Sequence, residues 1–318
     1  AYLYIKIIYA GVIATVAYNL IASILRALGD SKTPLYFLII SSVLNVILDL
    51  VFIINFNMGV AGAAYATIIS QAVSAILCLI YTYKKFTILR LKREDFNVKK
   101  RYYHKHLKIG IPMALQFSIT AIGIMTVQGA LNVFGSTIIA AYTAASKALQ
   151  LVMQPAITFG VTMATYCGQN LGAKEYNRIK EGVKACTKIS IITSIIAGAV
   201  LIFLGKYFVM MFISNPDVEI LKYAQQVLDI SAIFFIPLGL IFIYRNALQG
   251  IGDSFVPMMA GAYELIARAI VAFTLPQYIG FFGICLADPV AWLAASIPLG
   301  ITYFKRIKHL LKHGTIKV

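Results

Sequence analysis

Asn45 and Asp49 stand four residues apart in SSVLNVILDLVF, inside a long apolar run. That spacing puts both side chains on one face of a helix, a turn apart, where the Asn45 amide can hydrogen-bond the carboxylate. An ionisable group inside an apolar span costs several kcal/mol unless it is paired or hydrated, so it is a functional candidate by default. In a dry, narrow site Asp49 can exchange a proton. Ionised, it can hold sodium with amide, hydroxyl and carbonyl oxygens, and Thr67 of YATIIS supplies such a hydroxyl. The competing reading is an Asn–Asp pair that only ties helices together. Asn19, on the preceding run, is a weaker candidate for the same cluster.

A second polar group falls late in the chain. Glu264 and Arg268 are also four apart, and an ion pair within one helix accounts for both. Asp288 precedes Pro289, where it can bond a helix turn opened by the proline, and Asp229 suits a solvated span end. Lys147 lies deep in an apolar run; it can repel cationic substrates, pair with a carboxylate or snorkel outward. Gln116 is one of several neutral polar groups nearby. Pro112, Pro155 and Pro298 are expected to kink their helices. The four histidines fall in basic connecting segments, and no HExxH, GxSxG or paired intramembrane carboxylates occur, so an enzyme is not expected.

The elements that must position these groups are membrane spans. Of 318 residues 60% are apolar and 13% charged, and mean hydropathy is +0.82. Soluble domains are roughly 45–50% apolar and about 25% charged. Nine apolar runs each reach the ~20 residues a bilayer needs: 1–28, 35–55, 60–83, 109–133, 137–165, 189–213, 223–247, 257–277 and 281–303. They do not alternate as barrel strands would. Between and after them lie a partial first lobe at 1–83, a basic linker at 84–108, a second lobe at 109–304 and a basic tail at 305–318.

The formal charge of +16 sits in particular connections. Ten Lys and Arg lie between Lys84 and Lys108, and more follow the fifth run and the ninth, while the alternate connections are nearly uncharged. This is the positive-inside pattern, so the basic segments and the C-terminus are expected in the cytoplasm. The basic surface is read as meeting anionic lipid, not nucleic acid. Cys78, Cys167, Cys186 and Cys285 show no CxxC or pairing pattern, so neither a disulfide nor a metal framework is expected.

The chain also repeats itself. RALGDSKTP (Arg26–Pro34) returns as QGIGDSFVP (Gln249–Pro257), and NMGVAG (Asn57–Gly62) returns as QYIGFFG (Gln277–Gly283) with a two-residue indel between the pairs. In the GDS turn, Gly permits an unusual φ, Asp or Ser caps the next helix and Pro enters its first turn. A third polar turn, GQNLGAKEYNR (Gly168–Arg178), precedes the second GDS turn but has no counterpart before the first. Duplicated lobes of this kind build many transporters.

These motifs, together with NVILDLVF, ELIAR and ADPVAW, resemble the MATE family of multidrug and toxic-compound extrusion transporters over essentially the whole chain. The resemblance implies an all-α integral membrane fold of twelve helices in two six-helix lobes, of which helices four to twelve are present here. It implies antiport of H⁺ or Na⁺ against amphipathic, often cationic compounds, with no cofactor beyond the ion. Asn45, Asp49 and Thr67 match the family's first-lobe ion site, while the second lobe lacks the acidic residues of the family's other branch. Glu264, Arg268, Lys147, Gln116 and Asp288 are then a second-lobe polar site. The resemblance also implies a monomer in the bacterial plasma membrane, in contact with lipid. The alternatives are a lipid-linked oligosaccharide flippase of the same superfamily and an inactive membrane scaffold. Flippases carry several cavity cations, and here the cations expected within spans are Lys6, Lys147 and Arg268.

Overall fold

The computed structural model describes residues 2–90, 92–213 and 217–314, and among them all regular structure is helical. The chain divides into two compact units, Ala1–Val98 and Lys99–Val318.

The first unit holds α1 (Tyr2–Ala10), α2 (Val12–Ala27), α3 (Lys32–Leu50) and α4 (Gly59–Lys85). The run expected as one span over 1–28 is broken at Gly11, where α1 and α2 meet at 48°. Gly11 packs against Ile68 of α4, and a Cβ there would lie 2.3 Å from that side chain. The α3 helix is largely apolar and mostly exposed along its length, with Ser41, Asn45 and Asp49 among the polar exceptions. It continues as a π-helical segment, Val51–Asn55, in which the Phe56 amide donates to the Val51 carbonyl at 3.1 Å.

The second unit holds α5 (Lys100–Leu131), α6 (Ser136–Val152), α7 (Gln154–Gly172), α8 (Tyr176–Met210), α9 (Val218–Ile233), α10 (Phe235–Gly250) and α11 (Phe255–Thr274). Two short helices, α12 (Pro276–Ile279) and α13 (Phe281–Cys285), lead into α14 (Ala287–His313). Four expected spans differ in detail. The run over 137–165 is divided at Met153 between α6 and α7, with Pro155 in the first turn of α7. The run over 223–247 bends by 56° between α9 and α10. Helix α5 begins inside the basic segment, and α14 carries residues 305–313 as continuous helix. Among the described residues six helices are long and apolar enough to cross a membrane, and counting each of the two bent pairs as one span brings the number to eight.

The repeat is written into the backbone. Gly29 and Gly252 adopt φ of +89° and +92°, and Gly59 and Gly280 adopt +53° and +59°, conformations that a Cβ disfavours. Each GDS turn closes its preceding helix in the same way. The amides of Gly29 and Asp30 donate to the carbonyls of Arg26 and Leu25, as those of Gly252 and Asp253 do to Gln249 and Leu248. The Asp30 carboxylate then accepts from the Thr33 amide at 3.1 Å and opens α3, the capping role expected of this turn.

Candidate functional site

Helices α3 and α4 run antiparallel, and two serine bonds set their register. Ser41 donates to the Ser70 carbonyl at 2.8 Å, and Ser74 to the Phe37 carbonyl at 3.1 Å. Small hydroxyl residues let membrane helices approach closely and bond across the seam. Continued along the pair, this register sets Asn45 opposite Ala66, beside Thr67, and Asp49 opposite Gly62.

The expected bond from Asn45 to Asp49 is not made. Asn45 Nδ2 and Asp49 Oδ1 are both shielded from solvent and both lack a partner among the described residues. Gln71 Oε1 is in the same condition, one turn beyond Thr67 on α4. Thr67 donates to the Ala63 carbonyl at 2.9 Å, which leaves its oxygen lone pairs free to accept. Three buried, unsatisfied polar atoms on two packed helices cost about 1–3 kcal/mol each. A π-segment follows Asp49 within two residues, a feature often found at functional sites. The donor set is oxygen-rich and suits a hard cation or a proton. Among the described residues no three His, Cys, Asp or Glu side chains gather for a metal.

Asn19 stands apart in character: it is exposed on α2 and donates to the Thr15 carbonyl of its own helix. Gln71 was not singled out from the sequence. Its signal was there, since a residue four beyond Thr67 shares its helix face.

The second unit corrects the reading of Glu264 and Arg268 as a pair within one helix. Each reaches a different helix instead. Glu264 Oε2 lies 2.9 Å from Arg245 Nη2 on α10, and Arg268 Nε lies 2.7 Å from Asp288 Oδ1 on α14. Arg245, Glu264 and Arg268 are all buried. An exposed i, i+4 pair gains only tenths of a kcal/mol, whereas a buried charge requires a close, desolvated partner, and neighbouring helices supply one. Asp288 does not cap a proline-opened turn; it accepts from the Tyr142 hydroxyl at 3.0 Å as well as from Arg268. Gln116 is buried and accepts from Gln249 Nε2 at 2.8 Å. Asp229 accepts from Gln225 at 2.7 Å, one turn before the end of α9.

Arg245 on α10 and Lys206 on α8 are cations inside apolar runs beyond the three expected there. Lys147 does not join the buried network. It is exposed, with Nζ 5.7 Å from the centre of the Phe212 ring, the outward-reaching arrangement among those considered. Gly123 on α5 makes room for Arg268: a Cβ there would stand 2.3 Å from Nη1.

Comparison with known proteins agrees with this architecture. The MatE family model matches residues 109–274, and that of the lipid II flippase MurJ matches residues 4–102. The probable multidrug resistance protein YpnP of Bacillus subtilis is 32% identical over 253 residues, covering 78% of this chain and 55% of its own. The probable multidrug resistance protein NorM of Thermotoga maritima is 25% identical, covering 86% of this chain and 60% of its own. The chain therefore spans little more than half the length of such relatives. Among solved structures, an outward-facing multidrug resistance MATE transporter superposes with a TM-score of 0.90 at 21% identity, over 97% of this chain and 69% of that one. A transporter of the same superfamily from Pyrococcus furiosus also gives 0.90, at 20% identity over 97% of this chain and 70% of its own.

Proposed function

The chain belongs to the MATE family of multidrug transporters, and from that premise we propose that it exports amphipathic, often cationic compounds against an inward flow of H⁺ or Na⁺. The ion is taken up in the first unit, at Asp49 with Asn45 and Thr67. One observation carries this reading: Asn45 Nδ2, Asp49 Oδ1 and Gln71 Oε1 are buried on the same helix pair with no partner among the described residues. Burial without a partner is unfavourable, and a proton or sodium ion taken up at the Asp49 oxygen recovers part of the loss, whereas Asn45 Nδ2 is a donor that only an acceptor satisfies. Alternating access then converts ion entry into substrate exit. The protein acts as a monomer in the bacterial plasma membrane, with its basic connections and C-terminus in the cytoplasm.

The flippase reading is the weaker one. A site for a lipid pyrophosphate needs free cations, and Arg245 and Arg268 each already hold a carboxylate. The test is dye export from proteoliposomes under separate H⁺ and Na⁺ gradients, for the wild type and Asp49→Asn. Gradient-driven export that falls roughly tenfold or more in the variant is the expected result. Export undiminished in Asp49→Asn moves the coupling site elsewhere.

A further inference from the structure

The two repeats can be aligned residue by residue. Setting Gly29 on Gly252 lays α3 on α11 and places Asn45 on Arg268. Past the indel, setting Gly59 on Gly280 lays α4 on α13 and α14 and places Thr67 on Asp288. The positions that carry neutral oxygen and amide groups in the first unit therefore carry a cation and an anion in the second.

Those two residues are in contact. Arg268 Nε donates to Asp288 Oδ1 at 2.7 Å, and Arg268 is 4% exposed. Asp288, whose side chain is 30% exposed, also accepts from the Tyr142 hydroxyl at 3.0 Å. The guanidinium also has a bed: Gly123 lacks the Cβ that would collide with Nη1. Arg268 is thus held by an anion through Nε, set on a glycine and shielded from water, with Nη1 without a hydrogen-bond partner among the described residues. At the corresponding positions of the first unit, Asn45 Nδ2 has no partner among the described residues and Thr67 bonds only within its own helix, while the unpartnered Asp49 Oδ1 lies one turn beyond Asn45, at a position the second unit fills with Ala272.

We propose that the Arg268 guanidinium is a tethered cation occupying, in the second unit, the place that the first unit leaves open for its mobile ion. The inference rests on the reading of Asp49, Asn45 and Thr67 as the ion site. Its chemical content is specific. The second unit holds a latent cation site, bounded by Asp288 and Tyr142, that Arg268 keeps filled. Only the first unit then responds to an ion gradient. A charge fixed by covalent attachment needs no gradient to bind and cannot dissociate, so the second unit stays in one state of charge throughout the cycle.

The other charged groups nearby fit this assignment. Glu264, one turn before Arg268 on α11, is taken by Arg245 at 2.9 Å and does not compete for the guanidinium. Four charges of alternating sign are thereby paired across α10, α11 and α14, with no net charge left over.

Chemical rescue tests the proposal, with Asp49→Asn as the parent so that the first unit's site is silent. Thermal unfolding is followed in guanidinium, sodium and choline chloride at equal millimolar concentrations. The parent, with Arg268 in place, is expected to show no difference between the three salts. Arg268→Ala in that background should be destabilised and then stabilised again, saturably, by guanidinium or sodium but not by choline. Arg268→Gln, which keeps length and polarity without charge, should give the same rescue and serves if the alanine variant does not fold. Failure of both cations to raise the unfolding temperature of either variant above its choline value overturns the proposal. So does a saturable cation response in the parent. A wild type whose stability ignores sodium, beside a rescued Arg268→Ala, instead counts against sodium at Asp49 and leaves the tethered cation standing.

Discussion

Asp253 Oδ2 accepts from Arg306 Nε at 2.9 Å, joining the GDS turn before α11 to the last turns of α14. The first unit makes the same joint at the repeat-related positions, Asp30 with Lys85, at 3.1 Å. The turn is written twice because each unit uses its aspartate to cap one helix and anchor another. The two joints differ in burial. Asp253 is 1% exposed in its side chain and Arg306 24%, whereas Lys85 is 54% exposed. Arg306→Ala leaves a buried carboxylate unpaired and should cost about 2–4 kcal/mol, and Lys85→Ala, at an exposed and solvent-screened position, should cost less. Unfolding temperatures in one detergent give the order, and equal losses would contradict it.

The Asp30 joint should also show in pH dependence. Burial works against its charge, but hydrogen bonds from the Thr33 amide, the Tyr81 and Thr33 hydroxyls and Lys85 together outweigh it and hold the carboxyl at about 2, below its ordinary 3.8. A carboxyl lowered on folding contributes stability that is complete above its unfolded value and is lost as pH falls toward the folded one. Lys85 is raised by its bonds to Tyr81 and Asp30, so its share is present below its ordinary value and is lost only at more alkaline pH. The gap in unfolding temperature between wild type and Asp30→Asn should hold from neutrality to about pH 4 and narrow toward pH 2. A gap unchanged across that window refutes the assignment.

Glu264 and Arg245 form a desolvated pair, both buried and 2.9 Å apart. Removing one partner leaves a buried charge, so Glu264→Ala should cost about 3–5 kcal/mol. Replacing both with apolar groups, Arg245→Met with Glu264→Leu, should recover most of that loss. A double-mutant cycle in thermal unfolding measures the coupling, and purely additive losses would mean the pair is not a unit.

Lys174 ends α7 in the left-handed region, at φ +61°. Its amide donates to Leu171 and that of Glu175 to Asn170, the closure that Gly29 and Gly252 make in the GDS turns. Lysine is strained there and exposed. Lys174→Gly should therefore stabilise the protein by about 1 kcal/mol, while Lys174→Ala leaves it nearly unchanged. Loss of stability in the glycine variant would show that the lysine side chain outweighs its backbone strain.

Much of this protein is legible in its residues alone. Apolar runs of bilayer length dictate helices, because backbone groups in lipid must bond within their own segment. The GDS turns and their Gly-x-x-Gly partners disclosed the duplication, and the paired φ values at Gly29, Gly252, Gly59 and Gly280 carry it into the backbone. The spacing of Asn45 and Asp49 placed them on one face. Local sequence determines such things because helix period and turn stereochemistry act over a few residues.

Partner choice was not legible, because it is decided by which helices touch. Spacing alone paired Glu264 with Arg268, and packing against α10 and α14 separated them, giving each a closer and drier partner. The same holds for Gln71, an ordinary polar residue until helix packing leaves its Oε1 shielded and without a partner among the described residues, and for Gly123, whose purpose is set by the Arg268 guanidinium across the helix seam. A charge in a low-dielectric interior must be matched at contact distance, and contact distance is a property of the assembled helices.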